Sequence, residues 1–248
     1  MARVNLVVLL AVPITMGIAT GVLMTHLYDD ADGVADVDDP AAGGGAIRIQ
    51  QPGAGMFTAS LLAGSDGSPV LGDSDAPVTI IEWGDYQCTY CYLFHNRTLG
   101  QIMAWYVDTG KARIIFKDFV LNGPDSALAA RASHCAGDQS EYWGYHDMLY
   151  RNWGGERTGW VTRDALDTFA STLGLDTGLF ADCMGSQKHA ERVDRLYASG
   201  RILGIDATPS FLIFNETHVT KVRGNQPLAV FTGTIDALLP PATAARED

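Results

Sequence analysis

A short apolar strand that leads into a Cys-x-x-Cys motif is the feature that most restricts how this chain can fold. Residues 78–83 (VTIIEW) are β-branched and largely apolar, which predicts a buried strand. Apolar residues then recur at helical spacing from Cys88 to about Asp108, and Gly110 follows as a helix stop. We therefore predict that Cys88 and Cys91 lie in the first turn of a helix that comes directly after a buried strand.

The position of the two thiols predicts their chemistry. The first backbone N–H groups of a helix have no partner within the helix, and together with the helix dipole they stabilise negative charge. The pKa of Cys88 should therefore be lowered, to roughly 3.5–7 as in other motifs of this kind. A thiolate attacks a disulfide, and a second thiol one turn away can resolve the mixed disulfide. We predict Cys88 as the nucleophile and Cys91 as the resolving cysteine.

Half of a zinc site is the main alternative for a Cys-x-x-Cys motif. A structural zinc site usually needs a second such pair, and the sequence contains no other Cys-x-x-Cys or His-x-x-His. His134 beside Cys135 is the only other cluster, which we interpret as a surface histidine next to a buried cysteine. We therefore predict no metal and no cofactor, and keep a thiol-based metal-binding or chaperone module, using Cys88 and Cys91, as the more distant alternative.

The first 27 residues predict a membrane anchor. Residues 4–25 carry no charged side chain, and about 20 apolar residues are enough to span a bilayer as a helix. Arg3 precedes this segment while Asp29 and Asp30 follow it, so the positive-inside rule places the rest of the chain outside the cytoplasm. The apolar run is long for a signal peptide and no convincing cleavage site follows, which favours an uncleaved signal anchor over a cleaved signal.

Composition divides the rest of the chain into three parts. Residues 28–70 are rich in Asp, Gly and Ala and predict a flexible linker. Residues 71–241 predict the folded domain, and residues 242–248 a short tail.

The formal net charge of −12 argues against nucleic acid or an anionic membrane surface as a partner.

The folded part predicts the order β-α-β, a helical block, and then β-β-α. After the motif helix, the predicted elements are a strand at 112–116, helices within about 122–203, strands at 210–214 and 218–222, and a helix over 228–238. Within the helical block, Thr162 and Asp176 can each cap the start of a helix.

The motif and its surroundings resemble a known family. Residues 82–91 (EWGDYQCTYC) are similar to the active-site segment of the DsbA-like branch of the thioredoxin superfamily, and residues 208–211 (TPSF) resemble its cis-proline loop. Between Cys91 and Pro209 lie 117 residues, far more than in plain thioredoxins. The resemblance implies an α/β thioredoxin fold with an inserted helical domain, here preceded by one N-terminal transmembrane helix.

The resemblance also implies roles for single residues. Thr208 and Pro209 are expected to bind substrate beside the two cysteines. Glu82 is expected to assist proton transfer during thiol exchange, with Lys117 as its partner; the alternative is a strand-edge residue whose carboxylate lies in solvent. Thr89 departs from the family, because many members have proline there, and this leaves the oxidising strength of the pair open.

Cys135 and Cys183 both fall on apolar faces of predicted helices in the insertion. Two buried cysteines in one subdomain of an exported protein are expected to form a disulfide. Such a bond would close a loop of about 48 residues and stabilise the fold by roughly 3–4 kcal/mol. Two separate buried thiols are the alternative.

The resemblance implies an extracytoplasmic thiol–disulfide oxidoreductase that donates disulfides to exported proteins. Its expected partners are the thiols of unfolded or exported proteins, and a membrane redox protein of the DsbB or vitamin-K-epoxide-reductase type that reoxidises it. A disulfide reductase or isomerase that uses the same thiols is the nearer alternative.

Overall fold

The computed structural model describes residues 47–49 and 67–241, which build a six-stranded mixed sheet flanked by helices. The strands are β1 (Ile47–Ile49), β2 (Val70–Leu71), β3 (Val78–Gly84), β4 (Ala112–Asp118), β5 (Ser210–Phe214) and β6 (Val219–Arg223). Their order in the sheet is β1-β6-β5-β3-β4-β2. The β3–β4 pair is parallel and all the other pairs are antiparallel.

The helix after the motif is built from four consecutive segments, which we call the active-site helix. They are α1 (Thr89–Phe94), a π-helical turn (His95–Leu99), α2 (Gly100–Ile102) and a second π-helical turn (Met103–Val107). The later helices are α3 (Pro124–Gly137), α4 (Tyr142–Arg151), α5 (Arg163–Thr172), α6 (Thr177–Ser186), α7 (Ala190–Ile202) and α8 (Leu228–Leu238).

Strand β3 is the centre of the fold, because every residue in it is buried and it pairs with both β4 and β5. Successive side chains of a strand point to opposite faces. Ile80 accordingly packs in the cluster that includes the active-site helix and α8, whereas Ile81 packs in the cluster on the α7 side. The two faces of β3 therefore belong to two different layers of the core.

Helices α3 to α7 form the insertion between β4 and β5, as the spacing of the two motifs predicts. They enclose an apolar cluster of their own, which also contains Cys88 and Cys91. The two predicted caps are in place: the Thr162 side chain accepts a hydrogen bond from the Ala165 N–H, and the Asp176 side chain accepts one from the Leu179 N–H. The insertion thus folds against the redox motif.

The predicted linker over residues 28–70 needs correction at two places. Strand β1 lies inside it and pairs antiparallel with β6. Without that partner, the outer edge of β6 would present a row of unpaired backbone groups. At the other end, β2 begins at Val70, which moves the start of the domain back from residue 71.

The predicted anchor over residues 1–27 and the predicted tail over 242–248 lie outside the described residues. Within residues 47–49 and 67–241, no helix is both long enough and apolar enough to span a bilayer.

Candidate active site

Cys88 and Cys91 occupy the start of the active-site helix as free thiols. Cys88 is the N-cap residue, with extended backbone at φ −66° and ψ 124°, and Cys91 is buried one turn further in. The Cys91 thiol donates a hydrogen bond to the Cys88 sulfur and is the largest influence that lowers the pKa of Cys88, to about 7. Backbone N–H groups of the first turn and the Thr208 side chain add to this effect, while burial opposes it.

The pKa of Cys91 is shifted in the opposite direction. Burial raises it well above its ordinary value, and the neighbouring Cys88 thiol adds to the shift. Only one sulfur of the pair is therefore a thiolate near neutral pH, and it is the one nearer the surface. This asymmetry is what a nucleophile and a resolving thiol require.

The second motif, although 120 positions away in sequence, lies beside the first. The Cys88 thiol donates to the Thr208 carbonyl, with 3.3 Å between sulfur and oxygen. The Thr208–Pro209 peptide bond is cis, and β5 begins at the next residue, Ser210. The pairing of β5 with β3 carries the loop to the helix start.

Glu82 lies on the face of β3 that packs toward the active-site helix, with only 4% of its surface exposed. Burial raises the pKa of its carboxyl group to about 8, and the negative charge of Cys88 contributes to the same shift. The alternative in which this side chain extends into solvent is therefore wrong. At neutral pH the carboxyl group is mostly protonated, so it can donate a proton.

The predicted pairing of Glu82 with Lys117 is corrected by the register of the sheet. Glu82 lies opposite Phe116 on β4, and Lys117 lies opposite Trp83. Because side chains alternate along a strand, Glu82 and Lys117 point to opposite faces. Lys117 is buried and donates a hydrogen bond to Ser68, at 3.4 Å.

The turn between β3 and the motif is held by the buried carboxyl group of Asp85, a residue for which the sequence predicts no role. Asp85 accepts hydrogen bonds from the backbone N–H groups of Gln87, Leu121 and Asn122 at 2.7–2.9 Å, and from the Ser126 hydroxyl at 2.6 Å. Gln87 donates in turn to Ser126. These bonds tie the motif to the start of the insertion.

The sequence model of the Thioredoxin family matches residues 64–237. The chain belongs to the thioredoxin family. Disulfide bond formation protein D of Bacillus subtilis is 30% identical over 150 residues, which cover 59% of this chain and 68% of that protein.

Solved structures agree on the branch of the family. Oxidised BdbD of Bacillus subtilis aligns with a TM-score of 0.64 and 25% identity, over 78% of this chain and 98% of its own. Wolbachia pipientis α-DsbA1 aligns with a TM-score of 0.65 and 27% identity, over 73% and 95% of the two chains. The predicted thioredoxin fold with a helical insertion, and the resemblance to the DsbA-like branch, are confirmed.

One loop of the insertion packs against the Cys-x-x-Cys motif. The local sequence does not predict this contact. The Trp153 indole stacks on Tyr92 with 4.4 Å between ring centroids, and its N–H donates to the Gln87 carbonyl. The Glu156 carboxylate accepts hydrogen bonds from the N–H and the hydroxyl of Thr89, at 3.4 and 3.2 Å. An acidic side chain therefore contacts one of the two residues between the cysteines.

Cys135 and Cys183 form a disulfide between α3 and α6, with 5.8 Å between their Cα atoms. Together with His189 they are the one group of three or more metal-ligand side chains among the described residues, but in the disulfide the two sulfurs are not thiolates.

The predicted surface position of His134 is wrong. Its side chain is buried, and the Nε2 atom lies 2.7 Å from a carboxylate oxygen of Asp118. An aspartate 16 positions away in sequence therefore explains its burial.

Proposed function

We propose that this chain is a DsbA-like protein thiol–disulfide oxidoreductase that donates disulfides to exported proteins through Cys88 and Cys91. The observation that carries the proposal is the asymmetric pair at the helix start, with an ionisable Cys88 beside the Thr208 carbonyl and a buried Cys91 behind it. The relatives named for disulfide bond formation and as DsbA proteins support the same activity.

The proposed reaction begins with Cys88 and Cys91 joined in a disulfide. A substrate thiolate attacks the Cys88 sulfur, a mixed disulfide forms, and Cys91 leaves with the electron pair. A second substrate thiolate then attacks the substrate sulfur of the mixed disulfide, and Cys88 leaves as a thiolate. The substrate is oxidised by two electrons and the cysteine pair is reduced by two.

Glu82 supplies the proton that the first of these two exchange steps needs. Cys91 is a poor thiolate because burial raises its pKa, so it must be protonated as it leaves. The Glu82 carboxyl group has its pKa raised to about 8 and interacts electrostatically with both cysteines, which supports it as the acid that protonates the leaving sulfur. Thr208 and Pro209 border Cys88, and we propose them as the residues that bind the substrate.

One observation favours the nearer alternative, a disulfide reductase or isomerase. A strongly oxidising pair stabilises its thiolate more, with a cysteine pKa of about 3.5 in DsbA against about 7 in thioredoxin. The pKa of Cys88, about 7, lies at the thioredoxin end of this range. The proposal and its alternative therefore differ in reduction potential and share the mechanism.

The reduction potential decides between them. We would equilibrate the full-length chain in detergent with glutathione buffers and count free thiols, with Cys88→Ser as the control for background alkylation. A potential near or above about −150 mV supports the disulfide donor, and one near about −270 mV supports the reductase. The absence of a two-electron transition, together with stoichiometric copper or zinc in the purified protein, would leave the metal-binding module.

The proposed location is outside the cytoplasm, with residues 1–27 as the anchor. The uncharged run over residues 4–25, with Arg3 before it and aspartates after it, supports this orientation. The expected result is that the protein stays with membranes after alkaline extraction and is digested by protease added to spheroplasts. Reoxidation of the reduced full-length chain by membranes that contain a DsbB or vitamin-K-epoxide-reductase type protein would support the proposed partner, whereas no reoxidation would exclude it.

A further inference from the structure

The N–H groups at the start of the active-site helix are shared between two acidic groups. The N–H groups of Tyr90 and Cys91 interact with the Cys88 sulfur, and the N–H of Tyr92 donates to the Cys88 carbonyl at 3.0 Å. The remaining N–H of the first turn, that of Thr89, donates to the Glu156 carboxylate. The Cys88 thiolate and Glu156 therefore both draw on the positive end of the same helix.

The loop that carries Glu156 is fixed on both sides of it. The Trp153 ring is stacked on Tyr92, and the Arg157 N–H donates to the Gln87 side-chain oxygen at 3.2 Å. Arg157 has a positive φ of 57°, a conformation that is uncommon for residues other than glycine. These contacts hold the carboxylate at Thr89, so its charge has a defined position relative to Cys88.

The sign of the effect follows from the charges in the two redox states. The disulfide form of the pair is uncharged, whereas the dithiol form carries a thiolate on Cys88. Glu82 and Cys91 interact electrostatically with Cys88. Glu156 is bound to the next residue, Thr89, and both Asp85 and the Arg157 backbone are bound to Gln87 on the other side of Cys88. A fixed negative charge at Glu156 repels the thiolate and leaves the disulfide unaffected, so it disfavours reduction of the pair.

We infer that Glu156 is a tuning residue of the insertion, whose carboxylate, held at Thr89, makes the Cys88–Cys91 pair a weaker oxidant than the motif alone would be. It does not contact the reacting sulfur and acts through its charge. This inference rests on the proposed function and deepens it, because it assigns part of the oxidising strength to a residue outside the thioredoxin fold proper.

The test is a comparison of full-length wild type with Glu156→Gln, which removes the charge and keeps an oxygen that can accept from Thr89. In glutathione buffers, two glutathione thiols reduce the Cys88–Cys91 disulfide and one glutathione disulfide forms. At pH 8, where Cys88 is ionised, we expect the substitution to raise the equilibrium constant for this reduction about threefold, or about 14 mV. At pH 5.5, where the thiol is neutral, the two proteins should agree.

The matched control is Glu191→Gln, an equal change of net charge at a residue of α7 whose side chain is 91% exposed. It should leave the equilibrium constant unchanged at both pH values. The Glu156→Gln difference should also shrink in 1 M salt, because screening weakens a charge effect and does not remove a structural one. Equal constants for wild type and Glu156→Gln at pH 8, or an equal shift at both pH values, would overturn the inference. A wild type without a two-electron transition would instead refute the proposed function.

Discussion

The two cysteine pairs of this chain show how surroundings decide what a pair of thiols does. Cys88 and Cys91 lie three positions apart at a helix start, beside polar and charged groups, and both are free thiols. Cys135 and Cys183 lie 48 positions apart on two helices of the insertion and are joined in a disulfide. The first pair is placed for exchange and the second for cross-linking.

The loop that each bond closes adds a second difference. A disulfide stabilises a protein mainly by restricting its unfolded chain, and the gain grows with the length of the closed loop. Oxidation of Cys88 and Cys91 encloses only Thr89 and Tyr90, so it restricts the unfolded chain little. The bond between Cys135 and Cys183 restricts a long segment, and its contribution is to stability.

The largest expected effect comes from removing the exchanging thiols. Cys88→Ala should lower disulfide transfer to the uncatalysed background, because the nucleophilic thiol is then missing and the buried Cys91 cannot form the Cys88–Cys91 disulfide. Cys91→Ala should instead trap mixed disulfides when its Cys88 thiolate attacks a disulfide of a substrate protein and one substrate sulfur leaves as a thiolate, because the thiol that would resolve the bond is missing. Oxidation of a reduced dithiol peptide measures the first, and non-reducing electrophoresis detects the second. Full transfer by Cys88→Ala would remove this pair from the mechanism.

Removing the second pair should affect stability and leave chemistry unchanged. The double variant Cys135→Ala/Cys183→Ala is expected to lose about 4 kcal/mol of unfolding free energy, from the closed loop of 48 residues. Urea unfolding measures this loss. Peptide oxidation well below the unfolding transition should match the wild type. A large loss of oxidation rate in a folded double variant would show that the two pairs communicate, and would break the comparison.

Glu82, which lies near the exchanging pair, should make the unfolding free energy of the reduced protein depend on pH, an effect that the cross-linking pair does not have. Its pKa in the folded protein is raised to about 8 from 4.5, so the stability that its protonated form contributes is complete below pH 4.5 and is lost as the pH rises through 8. Relative to Glu82→Gln, the reduced wild type should become less stable between pH 4.5 and 8, by on the order of a few kcal/mol. Urea unfolding of both proteins at the two pH values tests this, and a constant difference would contradict it.

The smallest expected effect lies in the insertion alone. Thr162 caps α5 through its bond from the Ala165 N–H, at 3.1 Å. Thr162→Ala should lower the unfolding free energy by about 1 kcal/mol and leave the reduction potential of Cys88 and Cys91 unchanged. Thermal unfolding and the glutathione equilibrium measure the two quantities. A shifted potential would mean that the insertion transmits small changes to the motif.

The local features of the site could be predicted from the sequence, because each depends on neighbours within one turn or one strand. The β-branched, largely apolar residues 78–83 predicted β3, and the spacing of Cys88 and Cys91 predicted a nucleophilic and a resolving thiol in the first turn of a helix. The interval of 117 residues before Pro209, together with the resemblance of both motifs to the DsbA-like branch, implied the insertion.

The contacts between distant segments were decided only by the tertiary structure. Lys117 was predicted as the partner of Glu82 because it directly follows the second predicted strand. The register of β3 with β4 instead directs the two side chains to opposite faces of the sheet. The contact of Thr208 with Cys88 was expected only from the resemblance of the two motifs to the family, and that of Glu156 with Thr89 leaves no trace in the local sequence. Local spacing therefore determined which residues carry the chemistry of this protein. The packing of sheet and insertion determined the charges around them, because charges act through space and not along the chain.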